Sequence, residues 1–201
     1  MTARAVVIRT ERLVLEPPGE RDIDAVFEYC QDPVLQAYTT VPSPYSRADA
    51  EDFVRRAVPS GWADGSEETW AIRLDGALIG MIGARAELQD VGFWMGVPHR
   101  GRGYLTEALA AVVDHRFAAG QDLVHWECRV GNLASARAAR RAGFRYTGEA
   151  LARVRSRDGS TPASWHGVLG RADAREPQPG WPEAVTAREA APRDPRGEES
   201  E

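Results

Sequence analysis

The chain contains no lysine; all 25 of its basic residues are arginine. That absence excludes Schiff-base chemistry and the lysine of a phosphate-binding P-loop. Cysteine is nearly as scarce. Cys30 and Cys128 are too few for a disulfide framework and fit no metal-ligand spacing, so both read as buried small hydrophobes and no metal is expected. No apolar run approaches the ~18 residues of a bilayer span, and the longest, Ala108–Val113, sits in an amphipathic helical pattern, so no membrane association is expected. A formal net charge of −5 argues against general nucleic-acid binding. The opening MTARAVVIRTERL is too polar for a secretion signal, which predicts a cytoplasmic protein.

What is present is globular material: 201 residues, 43% hydrophobic and 27% charged, enough for one domain and an appendage. Residues 172–201 hold five prolines, dense mixed charge and little apolar periodicity. They read as a disordered tail with Trp181 as its one possible anchor, leaving residues 1–171 as the domain. Within that domain Val6–Glu16 alternates like a strand and stops at Pro17-Pro18. Asp22–Cys30 carries apolar residues at helical spacing and ends near Asp32-Pro33. Ser46 and Asp49 form a capping-box pattern for a helix running to Pro59. A meander of Thr69–Leu74, Ala77–Ala86 and Asp90–Val97 precedes a long helix, Tyr104–Ala118. A strand at Val124–Val130, a helix from Asn132 to Gly143, and a hairpin about Asp158-Gly159 complete the order. The sequence β-α-α-β-β-β-α-β-α-β-β predicts an α+β fold with a mixed central sheet of about seven strands flanked by helices.

Two stretches carry chemistry. Val97-Pro98-His99-Arg100-Gly101-Arg102-Gly103-Tyr104 joins a strand directly to a helix N-terminus, whose first backbone N–H groups are unpaired and at the positive end of the helix dipole. Two glycines admit a ligand close to the backbone and two arginines add charge, which suits phosphate or pyrophosphate; a plain surface turn is the alternative. Gly131-Asn132-Leu133-Ala134-Ser135, with Gly143-Phe144 beyond it, fits a second ligand contact or ordinary helix caps.

Taken together these stretches resemble the GNAT acyltransferase superfamily, in the branch of RimJ/RimL ribosomal-protein N-terminal acetyltransferases, over about residues 7–170. The resemblance rests on Thr10-Glu11-Arg12-Leu13, on Asp90-Val91-Gly92-Phe93-Trp94, and on Arg100 to Tyr104 with Thr106-Glu107-Ala108. Asn132 with Ser135 and Gly143-Phe144 complete it. Leu105 departs from the small residue usual at the end of the phosphate motif. The resemblance implies splayed central strands, acetyl-CoA as cosubstrate and a primary amine as acceptor, either a protein N-terminus or a small molecule. It further implies that Met95, Gly96 and Val97 bind the pantetheine arm, one of them polarising the acetyl carbonyl. The N–H groups of Gly101, Arg102, Gly103, Tyr104, Leu105 and Thr106 would hold the pyrophosphate, and Asn132 would bond the cofactor arm.

Acyl transfer to an ammonium needs a base for the amine and an acid for the departing thiolate. By resemblance Asp90 is the candidate base, through water, and Ser135 the candidate acid. Val154 occupies the position where RimL-type enzymes carry a Glu. The acidic run Glu67-Glu68 reads as a solvated turn, with attraction of the amine as the alternative. Trp62 and Trp70 flank the loop Gly61–Glu68, which by resemblance borders the acceptor cleft. A non-catalytic acyl-CoA-binding module of the same fold is the competing function, and monomer and homodimer both remain open.

Overall fold

The computed structural model describes residues 5–156 and 159–187, so the predicted hairpin turn at Asp158 lies outside the described residues. The first predicted strand is two strands, β1 (Ile8–Arg9) and β2 (Val14–Glu16), paired antiparallel. Thr10 breaks it. Its hydroxyl accepts the Leu13 N–H at 3.0 Å and donates to the Glu107 carboxylate, closing residues 10–13 into a turn. The strand count is therefore eight. β3 (Glu67–Leu74), β4 (Ala77–Arg85), β5 (Asp90–Met95), β6 (Leu123–Arg129), β7 (Arg145–Leu151) and β8 (Ala163–Gly170) complete one sheet, ordered β1-β2-β3-β4-β5-β6-β8-β7. Every neighbouring pair is antiparallel except β5 and β6.

Helices cover both faces. α1 (Ile23–Tyr29), α2 (Pro33–Tyr38) and α3 (Arg47–Asp52) lie on one side. There Val26, Leu35 and Val54 pack with Ala71 and Met81 of the sheet. α1 stops ahead of Asp32-Pro33, as expected, and the same pair starts α2. Asp32 accepts the Val34 N–H at 2.9 Å and Pro33 fills the first helical position, where no N–H is needed. The Ser46–Asp49 capping box forms as read. Its helix does not end at Pro59: a π-helical turn, Phe53–Ala57, passes into α4 (Val58–Asp64), with Pro59 in the first turn of α4.

On the other face α5 (Tyr104–Ala118) and α6 (Leu133–Arg141) bury Leu109, Val112, Val113, Ala136 and Ala139 against Ile82, Val91, Trp126 and Phe144. Trp62 and Trp70 belong to this core, edge to face at 5.2 Å, and of the segment between them Glu67 reaches the larger cavity of the candidate site. Trp62 donates its indole N–H to the Thr69 carbonyl at 3.0 Å, which satisfies the one polar atom its burial brings in.

Residues 172–187 depart furthest from expectation, because they pack on the domain. Trp181 is 6% exposed and Val185 2%. The Trp181 ring lies 5.6 Å from that of Trp126 and 5.5 Å from that of Tyr146, and a short helix, α7 (Glu183–Thr186), follows. Arg137 of α6 donates to the Ala184 and Val185 carbonyls, and Arg175 pairs with Asp114 at 2.7 Å. The strap crosses Gly143 so closely that a Cβ there would stand 2.8 Å from the Ala174 carbonyl oxygen. Few apolar residues suffice because both large ones are aimed into the core. The boundary at residue 171 is therefore too early; the tail predicted for residues 188–201 lies outside the described residues. Among the described residues no helix is long and apolar enough to cross a membrane, and no group of His, Cys, Asp and Glu could hold a metal.

Candidate active site

The parallel ladder between β5 and β6 is two rungs long, Asp90 with His125 and Val91 with Trp126. Beyond it the strands part. Backbone alternation decides which groups face the opening. Gly96 N–H donates to the Ile79 carbonyl of β4 at 2.9 Å, whereas the Gln89 carbonyl accepts from His125 of β6 at 2.8 Å. Odd-numbered residues of β5 thus turn their N–H and C=O toward β6, and past the last rung these are Phe93 and Met95. Of the trio expected to bind a pantetheine arm, Met95 faces the gap. Gly96 is committed to β4, and Val97 begins a 3-10 turn, Val97–His99, with its carbonyl accepting from Arg100. Phe93 is the donor missed in the sequence. The register with Gln89 would have found it.

Two cavities flank this gap, of about 280 and 160 Å³, and both are lined by Tyr38, Thr39, Phe93, Trp94, Asn132 and Ser135. The smaller one reaches the N-terminus of α5. Gly101 and Gly103 have φ of +74° and +80°, left-handed conformations that favour glycine, and Gly103 caps α5 without a side-chain bond. The first-turn N–H groups of Tyr104, Leu105 and Thr106 therefore lack helical acceptors, and all three residues line the cavity with Gly101, Gly103 and Arg100. Arg100 is already engaged, donating to the Met95 carbonyl at 2.9 Å and pairing with Asp32. Arg102 is exposed. From below, Arg12 braces the loop: it donates to the Arg102 carbonyl, pairs with Glu107 at 2.7 Å and lies 4.7 Å from the Tyr104 ring centre.

Ser135 sits where the cavities meet. Its hydroxyl oxygen accepts the Trp126 indole N–H at 3.1 Å, which leaves the hydroxyl proton for another acceptor. Asn132 caps α6 by accepting the Ser135 N–H at 3.2 Å, so the capping role holds and its carbonyl oxygen is used. Cys128 beside them is buried, and desolvation pushes its thiol up to about 12, against a hydrogen bond with Ser135. It is an inert small hydrophobe, as its scarcity suggested.

Asp90 does not meet the expectation placed on it. It is 1% exposed and lines neither cavity. Both carboxylate oxygens are held by Arg85, at 2.8 and 2.7 Å, with Arg153 a further 3.4 Å away. A carboxylate forked onto one guanidinium and touched by a second has most of its acceptor capacity taken, and this one does not face the space an amine would enter. The acidic residues on the wider cavity are Glu67 and Glu127 instead. Glu127 accepts from the Arg153 backbone and side chain, at 3.0 and 3.3 Å.

A family model for the acetyltransferase (GNAT) domain matches residues 12–145. The chain belongs to the GNAT acetyltransferase family. Solved structures share this GNAT fold. A candidate ribosomal-protein-serine acetyltransferase from Vibrio cholerae superposes with a TM-score of 0.74 at 22% identity, covering 85% of this chain and 99% of that one. The Salmonella typhimurium acetyltransferase that modifies the N-terminal serine of ribosomal protein L7/L12 gives 0.70 at 19%, covering 82% and 99%. The microcin C7 self-immunity acetyltransferase MccE, in complex with acetyl-CoA and AMP, gives 0.68 at 15%, covering 80% and 93%. In GNAT terms the structure brings Met95, Gly101, Gly103, Tyr104, Leu105, Thr106, Asn132 and Ser135 around one continuous opening. It sets Gly96, Val97 and Asp90 aside, and Arg102 lies exposed on the loop between the two glycines.

Proposed function

We propose that this GNAT domain transfers the acetyl group of acetyl-CoA to the α-amine of a protein N-terminus. The observation that carries the reading is the meeting of two unlike cavities at Phe93, Trp94, Asn132 and Ser135. One is rich in backbone donors and suits a pyrophosphate and its arm. The other is wider and the more polar of the two, with Thr39, Thr40, Ser156 and Ser164 on its walls and charges of both signs. Hydroxyls and mixed charge match a peptide's amides better than an apolar small molecule. The likeness to an enzyme that modifies the N-terminal serine of a ribosomal protein supports the same acceptor class.

The residues fit the cosubstrate. The first-turn N–H groups of α5 and of the Gly101–Gly103 loop would take the pyrophosphate. Phe93 and Met95 would bond the pantetheine arm along the open side of β5, one N–H polarising the acetyl carbonyl. Ser135, relieved of one lone pair by Trp126, would pass a proton to the departing thiolate. The test is acetyl-CoA turnover, read as free thiol and as acetyl mass gain, on a peptide with an N-terminal serine and on a linear diamine. Transfer to the peptide α-amine is expected. Transfer to the diamine alone would move the acceptor to small molecules, and CoA binding without transfer to any amine would leave only an acyl-CoA-binding module.

A further inference from the structure

Glu67 and Glu68 are neighbours in sequence and live in different chemistry. β3 turns successive side chains to opposite faces. Glu68 points to the α5 side, where Arg116 holds it at 2.6 Å and His115 lies at 3.2 Å. Glu67 falls in phase with Thr69 and Ala71 and looks into the wider cavity. Gly83 of β4 makes the room for it: a Cβ at Gly83 would stand 2.6 Å from Glu67 Oε1 and 3.5 Å from the Thr69 hydroxyl oxygen. The carboxylate therefore lies over bare backbone, on a rigid strand, facing the space that Gly92, Phe93, Trp94 and Ser135 also line.

The other two carboxylates nearby are committed to arginines, Asp90 to Arg85 and Glu127 to Arg153. Glu67 has a hydroxyl partner in Thr69, and the charged groups that face it are Arg85 from β4 and Asp90 from β5. Phe53 closes the helical side of the cavity and Gly61 of α4 packs on the Glu67 backbone. Burial holds the Glu67 carboxyl above the usual carboxylate range; the Arg85 charge opposes this and the Asp90 charge reinforces it. Such a group accepts a proton nearer neutrality than a solvated glutamate does.

From this placement we infer that Glu67 is the base that takes the proton from the acceptor's ammonium. This rests on the reading of the protein as an N-acetyltransferase. Glu67 removes one proton from R–NH3+ and becomes a carboxylic acid. The freed nitrogen lone pair forms the C–N bond at the acetyl carbonyl as the C–S bond breaks. Ser135 relays a second proton from that nitrogen to the thiolate, giving the amide and a free thiol. Glu67 then loses its proton to solvent, which accounts for the one proton released per turnover.

The test is Glu67→Gln in the full-length protein, with Glu67→Asp beside it. The readouts are the pH profile of acetyl transfer to an N-terminal-serine peptide, CoA affinity by calorimetry, and the thermal midpoint from pH 5 to 9. Glu67→Gln should lower kcat/KM by about 10²–10⁴-fold and abolish the acidic limb of the profile, while CoA affinity changes less than twofold. Glu67→Asp should restore part of the rate. A carboxyl raised in the folded state stabilises the protein below its unfolded value, and that stability is lost as pH rises through the folded value. Above it, wild type carries a buried charge that Gln lacks, so the mutant's midpoint should equal or exceed that of wild type. Activity within threefold of wild type overturns the inference and leaves the acetyltransferase reading standing. A midpoint drop above 5 °C together with lost activity overturns it too, by making Glu67 structural. Wild type that binds CoA and acetylates no amine removes the reading and the inference together.

Discussion

Replacing Trp181 by alanine tests whether residues 172–187 belong to the fold. The ring is 6% exposed, so nearly all of the 150–250 Å² that an aromatic side chain buries is removed from water. At about 25 cal/mol per Å² that is worth roughly 4–6 kcal/mol as an upper bound. Against it stands the indole N–H, buried without a partner among the described residues, which costs about 1–3 kcal/mol. The net, with the cavity left beside Trp126 and Tyr146, comes to about 3–5 kcal/mol, in line with large aromatic truncations in cores. For a domain of this length each kcal/mol moves the thermal midpoint by roughly 2–4 °C, so Trp181→Ala should lower it by roughly 6–20 °C. Trp181→Phe should cost under ~1.5 kcal/mol, because it keeps most of the area and deletes the orphan donor. Differential scanning calorimetry reads both. A midpoint within 2 °C of wild type for Trp181→Ala would refute the docking and return residues 172–187 to the tail.

Gly103→Ala puts a Cβ at φ +80°, which costs about 1–2 kcal/mol. A loop that relaxes out of this conformation must be restored by the ligand, so CoA affinity should fall by roughly 5–30-fold in calorimetry with little change of midpoint. A loop held in place would instead lower the midpoint by roughly 2–8 °C. Asp90→Asn leaves Arg85 and Arg153 without their shared anion; both keep some solvent contact, so a loss near the low end of the buried-pair range, about 3 kcal/mol, is expected. The folded Asp90→Asn protein should retain kcat within about threefold, and a far larger loss would reinstate Asp90 as the base. Burial raises the Glu68 carboxyl, but His115 and Arg116 outweigh this and hold it below the usual range. Its stabilisation is thus present above its unfolded value and lost as pH falls through the folded one; Glu68→Gln should flatten the decline of the thermal midpoint below pH 4.5.

The element order, the turn at Asp75-Gly76, the Ser46 capping box and the glycine loop before α5 were legible because each is a local signal with its own residues. Two misreadings share a cause: a local signal overruled by a partner far away in sequence. Thr10 turns the chain because Glu107 receives its hydroxyl. The 172–187 segment has the composition of a tail, yet Trp126, Tyr146 and Arg137 give it somewhere to dock. The first helix does end ahead of Asp32-Pro33, at Tyr29; what went unread is that the same pair starts α2, a local signal, since proline at the first helical position needs no N–H. For Glu67 the signal was present. Period-two phase with Thr69 separates it from Glu68, and composition alone hid that by making the two one acidic run.

Asp90 shows why position is a weaker guide to chemistry than pairing. It occupies the first of the two rungs that precede the parting of β5 and β6, beside a point where a sheet gives up ladder hydrogen bonds worth about 1 kcal/mol each. Around it Arg85 comes from β4, Glu127 from β6 and Arg153 from the segment after β7, and Arg153 also donates to the Leu88 carbonyl at 3.3 Å. Cations and anions alternate through this cluster, so it ties four chain segments together at the vertex of the opening without exposing an unpaired buried charge. A carboxylate in that role must keep its arginine partners and stay put, whereas a base must gain and lose a proton in every turnover. The two demands conflict within one side chain. Dividing them between Asp90, locked by arginine at the vertex, and Glu67, set over glycine on the open wall, satisfies both.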